Sequence, residues 1–191
     1  MDKPNPLLAI IRLLGRNKPV LAHGRRVARI SCAIAKEMKY GDNKISLVRI
    51  SAISHDIGKI RLPEEVINKP GALNEEEMAL VKQHPEMGYR LLRILRVDPV
   101  ASEIALQHHE RLDGSGYPFG KKGGDISPLA KIIAVADVVD TIISPQVYKP
   151  ALSVEKAIRE IKENGGVLYD PEVVAAALTV IKKNGSRPRN S

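Results

Sequence analysis

The sequence predicts an all-α protein, a compact single-domain helical bundle, and three observations lead there. Apolar residues make up 43% of the 191-residue chain but aromatics only 3%, with no Trp and one Phe. The core must therefore be built from Leu, Ile, Val and Ala, which suits packed helices better than stacked sheets. Apolar positions recur at helical spacing, and no stretch alternates as a half-buried strand would. At this length one buried core is the default. The domain is drawn over residues 1–184, followed by a disordered basic tail over 185–191.

Leu21, Val27, Ile30, Ile34 and Met38 mark one helical face, and Gly41 follows where that helix would end. A second helix is expected from about Lys44 to Ile60. Pro63, Pro70 and Gly71 then mark an irregular link. Asn74 and Glu77 have capping-box spacing for a helix running into His84, where Pro85 should bend or restart it. A helix over about Asp98 to His109 leads into a glycine-rich loop from Glu110 to Pro128. Pro128 opens a strongly apolar helix reaching Ile143. Two amphipathic helices close the domain, from about Ser153 to Glu163 and from about Pro171 to Lys183, the last capped by Asp170.

No apolar run approaches the ~20 residues of a membrane span, and the N-terminus lacks a signal-peptide pattern, so a cytoplasmic protein is expected. Cys32 is the single cysteine and sits in an apolar stretch, which reads as a small core residue rather than a catalytic thiol. The formal charge of +8 suits anionic partners in general, with a solvated basic surface as the plainer alternative. Without a nucleic-acid-binding signature, direct nucleic-acid readout is not expected.

All five histidines, His23, His55, His84, His108 and His109, lie before or beside turns in the expected helices. Imidazole combined with carboxylate suits iron, manganese, nickel or zinc. In His55-Asp56-Ile57-Gly58-Lys59, neighbouring His and Asp point about 100° apart on a helix, so they share one ion only at a helix edge or end. Lys59, one turn from His55, could neutralise a phosphate oxygen. Taken alone, a structural His-Asp pair with a surface lysine is the simpler reading. Asp137 lies in a helix apolar almost all round, where burying a carboxylate costs several kcal/mol unless it is paired or metal-bound. Asp140, one turn on, fits better as a supporting partner of an imidazole. In the run His108-His109-Glu110-Arg111-Leu112-Asp113-Gly114-Ser115-Gly116-Tyr117-Pro118, the glycines let backbone approach a ligand and Tyr117 could stack on a base. A structural turn with a packed tyrosine is the alternative.

These motifs, with Ile133-Ala134-Val135-Ala136-Asp137, closely resemble the HD-GYP family, a branch of the HD phosphohydrolases, over roughly His23 to Leu178. The resemblance implies a helical bundle of the HD phosphohydrolase type and a phosphodiesterase that hydrolyses cyclic di-GMP to the linear dinucleotide or onward to GMP. It also implies a binuclear centre of two divalent ions, with iron or manganese the usual metals. Carried over by position, His23, His55, Asp56 and Asp137 hold one ion, and Asp56 bridges to a second held by His84, His108 and His109. Lys59 matches the lysine on the scissile phosphate. Arg111, Asp113, Gly114, Gly116, Tyr117 and Lys149 are expected on the substrate side.

Pro19 stands where three-metal members carry a glutamate, so two ions are expected. Gln146 replaces an arginine of the segment after Asp137, which leaves another cyclic or linear nucleotide open as substrate. The resemblance further implies a possible diguanylate cyclase contact through the loop motif. The competing readings are an HD phosphohydrolase of a different nucleotide, a non-enzymatic module that binds a signalling nucleotide, and a pure scaffold.

Overall fold

The computed structural model describes residues 6–145 and 152–185. Among the described residues, ten α-helices follow in order: α1 (Pro6–Leu14), α2 (Lys18–Glu37), α3 (Asp42–Ser54), α4 (Glu64–Ile67), α5 (Glu75–Val81), α6 (His84–Ile94), α7 (Pro99–Gln107), α8 (Pro128–Ile143), α9 (Val154–Glu163) and α10 (Pro171–Gly185). Among the described residues there is no strand, only an isolated bridge between Gly165 and Tyr169.

Helix α8 is the axis of the main core. Leu129, Ala130, Ile132, Ile133, Val135, Ala136 and Val139 are buried in it, against residues of α2, α3, α9 and α10. A smaller apolar cluster joins Ile10 and Leu14 of α1 to Val20, Ile57, Leu92, Ala101 and Ala105, tying α6 and α7 to the start of α2. Each fully buried aliphatic side chain of this kind contributes about 1.5–3 kcal/mol. Cys32 is buried in the main core, as expected of a small apolar residue.

Helix starts follow local chemistry. Asn17, Asp98, Ser153 and Asp170 accept hydrogen bonds from backbone N–H groups of the first turns they precede, and Asn74 and Glu77 form the expected capping box. Helix α8 spans the residues predicted for it.

Three expectations need correction. The helix drawn to Ile60 ends at Ser54, and the chain continues through a 3₁₀ segment, Ile57–Arg61. The reason is packing: a Cβ at Gly58 would collide with the His84 carbonyl. Backbone approach that close fixes this segment beside the start of α6 and overrides the apolar periodicity. The helix drawn into His84 ends at Val81, and Pro85 restarts the chain as α6. Helices α1 and α4 were not anticipated. Of the predicted tail, Gly185 closes α10 and residues 186–191 lie outside the described residues, as do Gln146 and Lys149.

Candidate metal centre

Three of the histidines are placed by one recurring device. His55 ends α3, His108 ends α7 and His84 begins α6. In each, Nδ1 bonds the carbonyl three residues earlier: Ala52 at 2.7 Å, Ala105 at 2.7 Å and Val81 at 2.8 Å. A carbonyl only accepts, so Nδ1 carries the proton, and in the neutral ring Nε2 is left with its lone pair directed away from the helix. His23, inside α2, is oriented differently. Its Nδ1 donates to Asp140 Oδ2 at 2.8 Å, and its Nε2 lies 2.9 Å from Asp137 Oδ1.

The resulting ligand atoms fall into two groups that share Asp56. The donor atoms of Asp56, His84, His108 and His109 lie within 4.8 Å of one another, and so do those of His23, His55 and Asp56. Asp137 joins the second group through His23 and approaches His55 Nε2 at 3.8 Å. The turn that ends α3 is what lets His55 and Asp56 face the same centre.

Metal ions fit this donor set. His84 Nε2 and His108 Nε2 are 3.2 Å apart, and Asp56 Oδ1 is 3.2 Å from His84 Nε2. With each Nδ1–H committed to a backbone carbonyl, these are acceptors facing acceptors. His55 Nε2 and Asp56 Oδ1 are buried without a hydrogen-bond donor. Stranded lone pairs of this kind cost about 1–3 kcal/mol each, and a cation between them converts the cost into coordination.

The electrostatics agree for three of the rings. Burial pushes the pKa of His55 down, and burial together with neighbouring imidazoles pushes His108 and His109 well down, so these rings are neutral. Burial opposes charge on His23 too, but its hydrogen bonds to Asp137 and Asp140 prevail and raise it to about 10. Burial also works against the Asp56 carboxylate, while Lys59 and the surrounding histidines hold its pKa well below the usual range. Asp137 is likewise kept ionised against burial by His23.

Around the two groups opens a cavity of about 700 Å³, within the ~300–1,000 Å³ range of small-molecule sites. Lys59, Arg111 and Tyr117 line it. Lys59 Nζ lies 2.7 Å from Asp56 Oδ2, so the ammonium already sits on the shared carboxylate. Tyr117 stacks on His109 at 4.6 Å between ring centroids. Asp113, Gly114 and Gly116, also expected on the substrate side, are not on the cavity lining. Asp113 accepts from the backbone and hydroxyl of Ser115 in an exposed turn, and Gly114 has φ of 86° in that turn. Gly116 packs against the backbone of His109 to Arg111.

Several contributors escape a reading by residue type. Arg26 Nε bonds Asp140 at 2.8 and 3.1 Å. Glu110, almost fully buried, accepts from the backbone N–H of Phe119 and of Lys121, both at 2.9 Å, and so folds the loop over the centre. Gln107 accepts from the N–H of Ser127 at the start of α8. The Arg25-Arg26 cluster was the one signal for Arg26; Glu110 and Gln107 gave none.

The family model for the HD domain matches residues 9–173. The chain belongs to the HD domain family. Among known proteins, this HD domain is similar to the cyclic di-GMP phosphodiesterase PA4108 of Pseudomonas aeruginosa, at 37% identity over 93% of the chain and 43% of that protein. It is 40% identical to a cyclic di-GMP phosphodiesterase of Thermotoga maritima, over 93% of the chain and 49% of that protein. The chain thus spans less than half the length of these relatives. In fold it resembles Bd1817, a HDG"Y"P protein from Bdellovibrio bacteriovorus, with a TM-score of 0.72 and 24% identity over 85% of the chain and 52% of that one. Among the described residues, no helix of this HD domain is long and apolar enough to cross a membrane.

Proposed function

We propose that the chain is the hydrolytic domain of an HD-GYP phosphodiesterase that cleaves a 3′,5′-phosphodiester of cyclic di-GMP, giving the linear dinucleotide, GMP or both. The observation that carries this reading is the sharing of Asp56 by two adjacent ligand groups. Its carboxylate is buried, ionised and faced from both sides by imidazole nitrogens, as a bridging ligand between two cations must be. Similarity to two cyclic di-GMP phosphodiesterases over nearly the whole chain supports the substrate.

His23, His55, Asp56 and Asp137 would hold one ion, and Asp56, His84, His108 and His109 the other; the mixed imidazole and carboxylate donors suit first-row transition metals, and the resemblance to the HD-GYP family implies iron or manganese. Bound there, two divalent ions supply Lewis acidity toward a phosphodiester oxygen and the attacking water. The protein's own groups do the rest. Asp140, Ala52, Val81 and Ala105 fix the tautomers of His23, His55, His84 and His108, which keeps these four Nε2 atoms aimed at the centre. Lys59, on the cavity side of Asp56, offers its ammonium to a phosphate oxygen as negative charge grows on it. Arg111 adds positive charge along the same wall, and Tyr117 with His109 closes it with an aromatic face. Incubating metal-loaded protein with cyclic di-GMP and resolving the products by chromatography tests the reading. Conversion that depends on metal supports it, and full metal occupancy without conversion refutes it.

A further inference from the structure

Apart from the metal-centre residues, the cavity's charged lining consists of Lys59, Lys69, Arg111 and Lys156 with a single acid, Glu160 of α9, among the described residues. A carboxylate is out of place on the wall of a site for a doubly charged phosphodiester, because it repels the phosphates. It is also held in place. Its Oε1 accepts from the Tyr169 hydroxyl at 3.2 Å and from Asn164 Nδ2 at 3.1 Å. Arg111 covers the Tyr169 ring, with its guanidinium carbon 5.4 Å from the centroid, so the brace connects back to the metal side of the cavity. Lys156 lies one helical turn before Glu160 on the same lining, and Ile142 and Leu152 add apolar surface to it.

We infer that Lys156 and Glu160 form a guanine-reading edge on the α9 wall of the cavity. The inference rests on the phosphodiesterase reading, and it assigns the substrate class by its base. The Watson–Crick edge of guanine presents the O6 acceptor followed by the N1–H and N2–H donors. An ammonium only donates and a carboxylate only accepts, so Lys156 at O6 with Glu160 at N1–H and N2–H matches that order. Adenine presents a donor at N6 and an acceptor at N1, which sets donor against donor at Lys156 and acceptor against acceptor at Glu160. Ile142 and Leu152 supply apolar surface for the base plane, and with Oε1 braced by Tyr169 and Asn164 the carboxylate is held to accept from N1–H and N2–H.

The test is binding of hydrolysis-resistant phosphorothioate forms of cyclic di-GMP and cyclic di-AMP to the full, metal-loaded chain, measured by equilibrium dialysis. Wild type is expected to prefer the guanine ligand by ~10-fold or more, the scale set by leaving polar groups of a site unpaired. Glu160→Gln presents a carboxamide that can also pair with adenine, so the preference should fall at least ~10-fold. Lys156→Met, at an exposed position, removes both the donor to guanine O6 and the donor opposed to adenine N6, so it should weaken guanine binding relative to adenine binding and lower the preference. Equal affinity of wild type for the two ligands would overturn the inference. So would an unchanged ratio in Glu160→Gln, or in Lys156→Met should the first variant fail to fold. Because binding is read without turnover, the two readings fail separately. Guanine preference without hydrolysis sinks the phosphodiesterase, and hydrolysis without base preference sinks only the subsite.

Discussion

The carboxylate of Asp140 lies 2.8 Å from Nδ1 of His23, across 117 residues of sequence, and Arg26 Nε bonds both oxygens of the same carboxylate. Asp140 is 1% exposed and also accepts from the Ser144 hydroxyl at 3.0 Å. The network leaves His23 one orientation, with Nε2 toward Asp56 and Asp137. Asp140→Asn can turn its carboxamide nitrogen toward the ring and select the other tautomer. Metal affinity is then expected to fall about 10–100-fold, the range for loss of such an outer partner, with a smaller fall for Arg26→Ala. Competition against a chelator measures both, and unchanged affinity in Asp140→Asn would remove the orienting role.

Stripping the metal should destabilise the domain, because the lone pairs gathered around Asp56 then face one another. Restoring ions to ~100 times their dissociation constant stabilises a folded protein by about 2.7 kcal/mol per site. For a chain of this size that is a rise in thermal midpoint of roughly 5–10 °C. Differential scanning calorimetry with and without manganese reads it directly, and a midpoint indifferent to metal would count against the site.

Gly58 is the contact through which the His55-Asp56 turn meets His84. An alanine there places a methyl group on the His84 carbonyl, and Gly88 backbone lies close behind. Overpacking of this kind costs about 1–3 kcal/mol. Gly58→Ala is therefore expected to lower the urea midpoint and, by displacing His84, to lose the ion of the His84-His108-His109 group first. Metal content per chain after gel filtration separates the second effect from the first.

Glu110 serves the loop rather than the chemistry. Replacing it with Gln keeps one backbone acceptor and turns an N–H toward the other donor, stranding a buried group at about 1–3 kcal/mol. The expected result is lower stability and a raised KM with metal content intact, since Tyr117 sits in the loop that Glu110 gathers.

The legibility of the sequence divides along the same line as local and tertiary chemistry. Helix α8 was readable from end to end because Pro128 opens it and its apolar residues run on every face until Ile143. The capping box of α5 was readable because both of its residues lie within one turn. The five histidines stood out through their placement beside turns, and the structure gathers all of them around Asp56 and Asp137. What sequence could not show depends on distant partners. The end of α3 is set by Gly58 meeting α6, α1 is held by burial of Ile10 and Leu14, and Glu110 looks like any loop glutamate until Phe119 and Lys121 fold back onto it. Asp140 could be placed in a supporting role from its spacing alone, but neither its partner His23 nor the clamp by Arg26 follows from spacing.

In the proposed mechanism Asp56 is the ligand common to two ions. Metal content and turnover of cyclic di-GMP, measured in parallel on anaerobically purified wild type and Asp56→Ala, test it most directly. Two ions per chain and metal-dependent conversion are expected in the wild type, with both ion occupancy and conversion lost in the variant. A variant that turned over at the normal rate, or an active wild type holding a single ion, would contradict it.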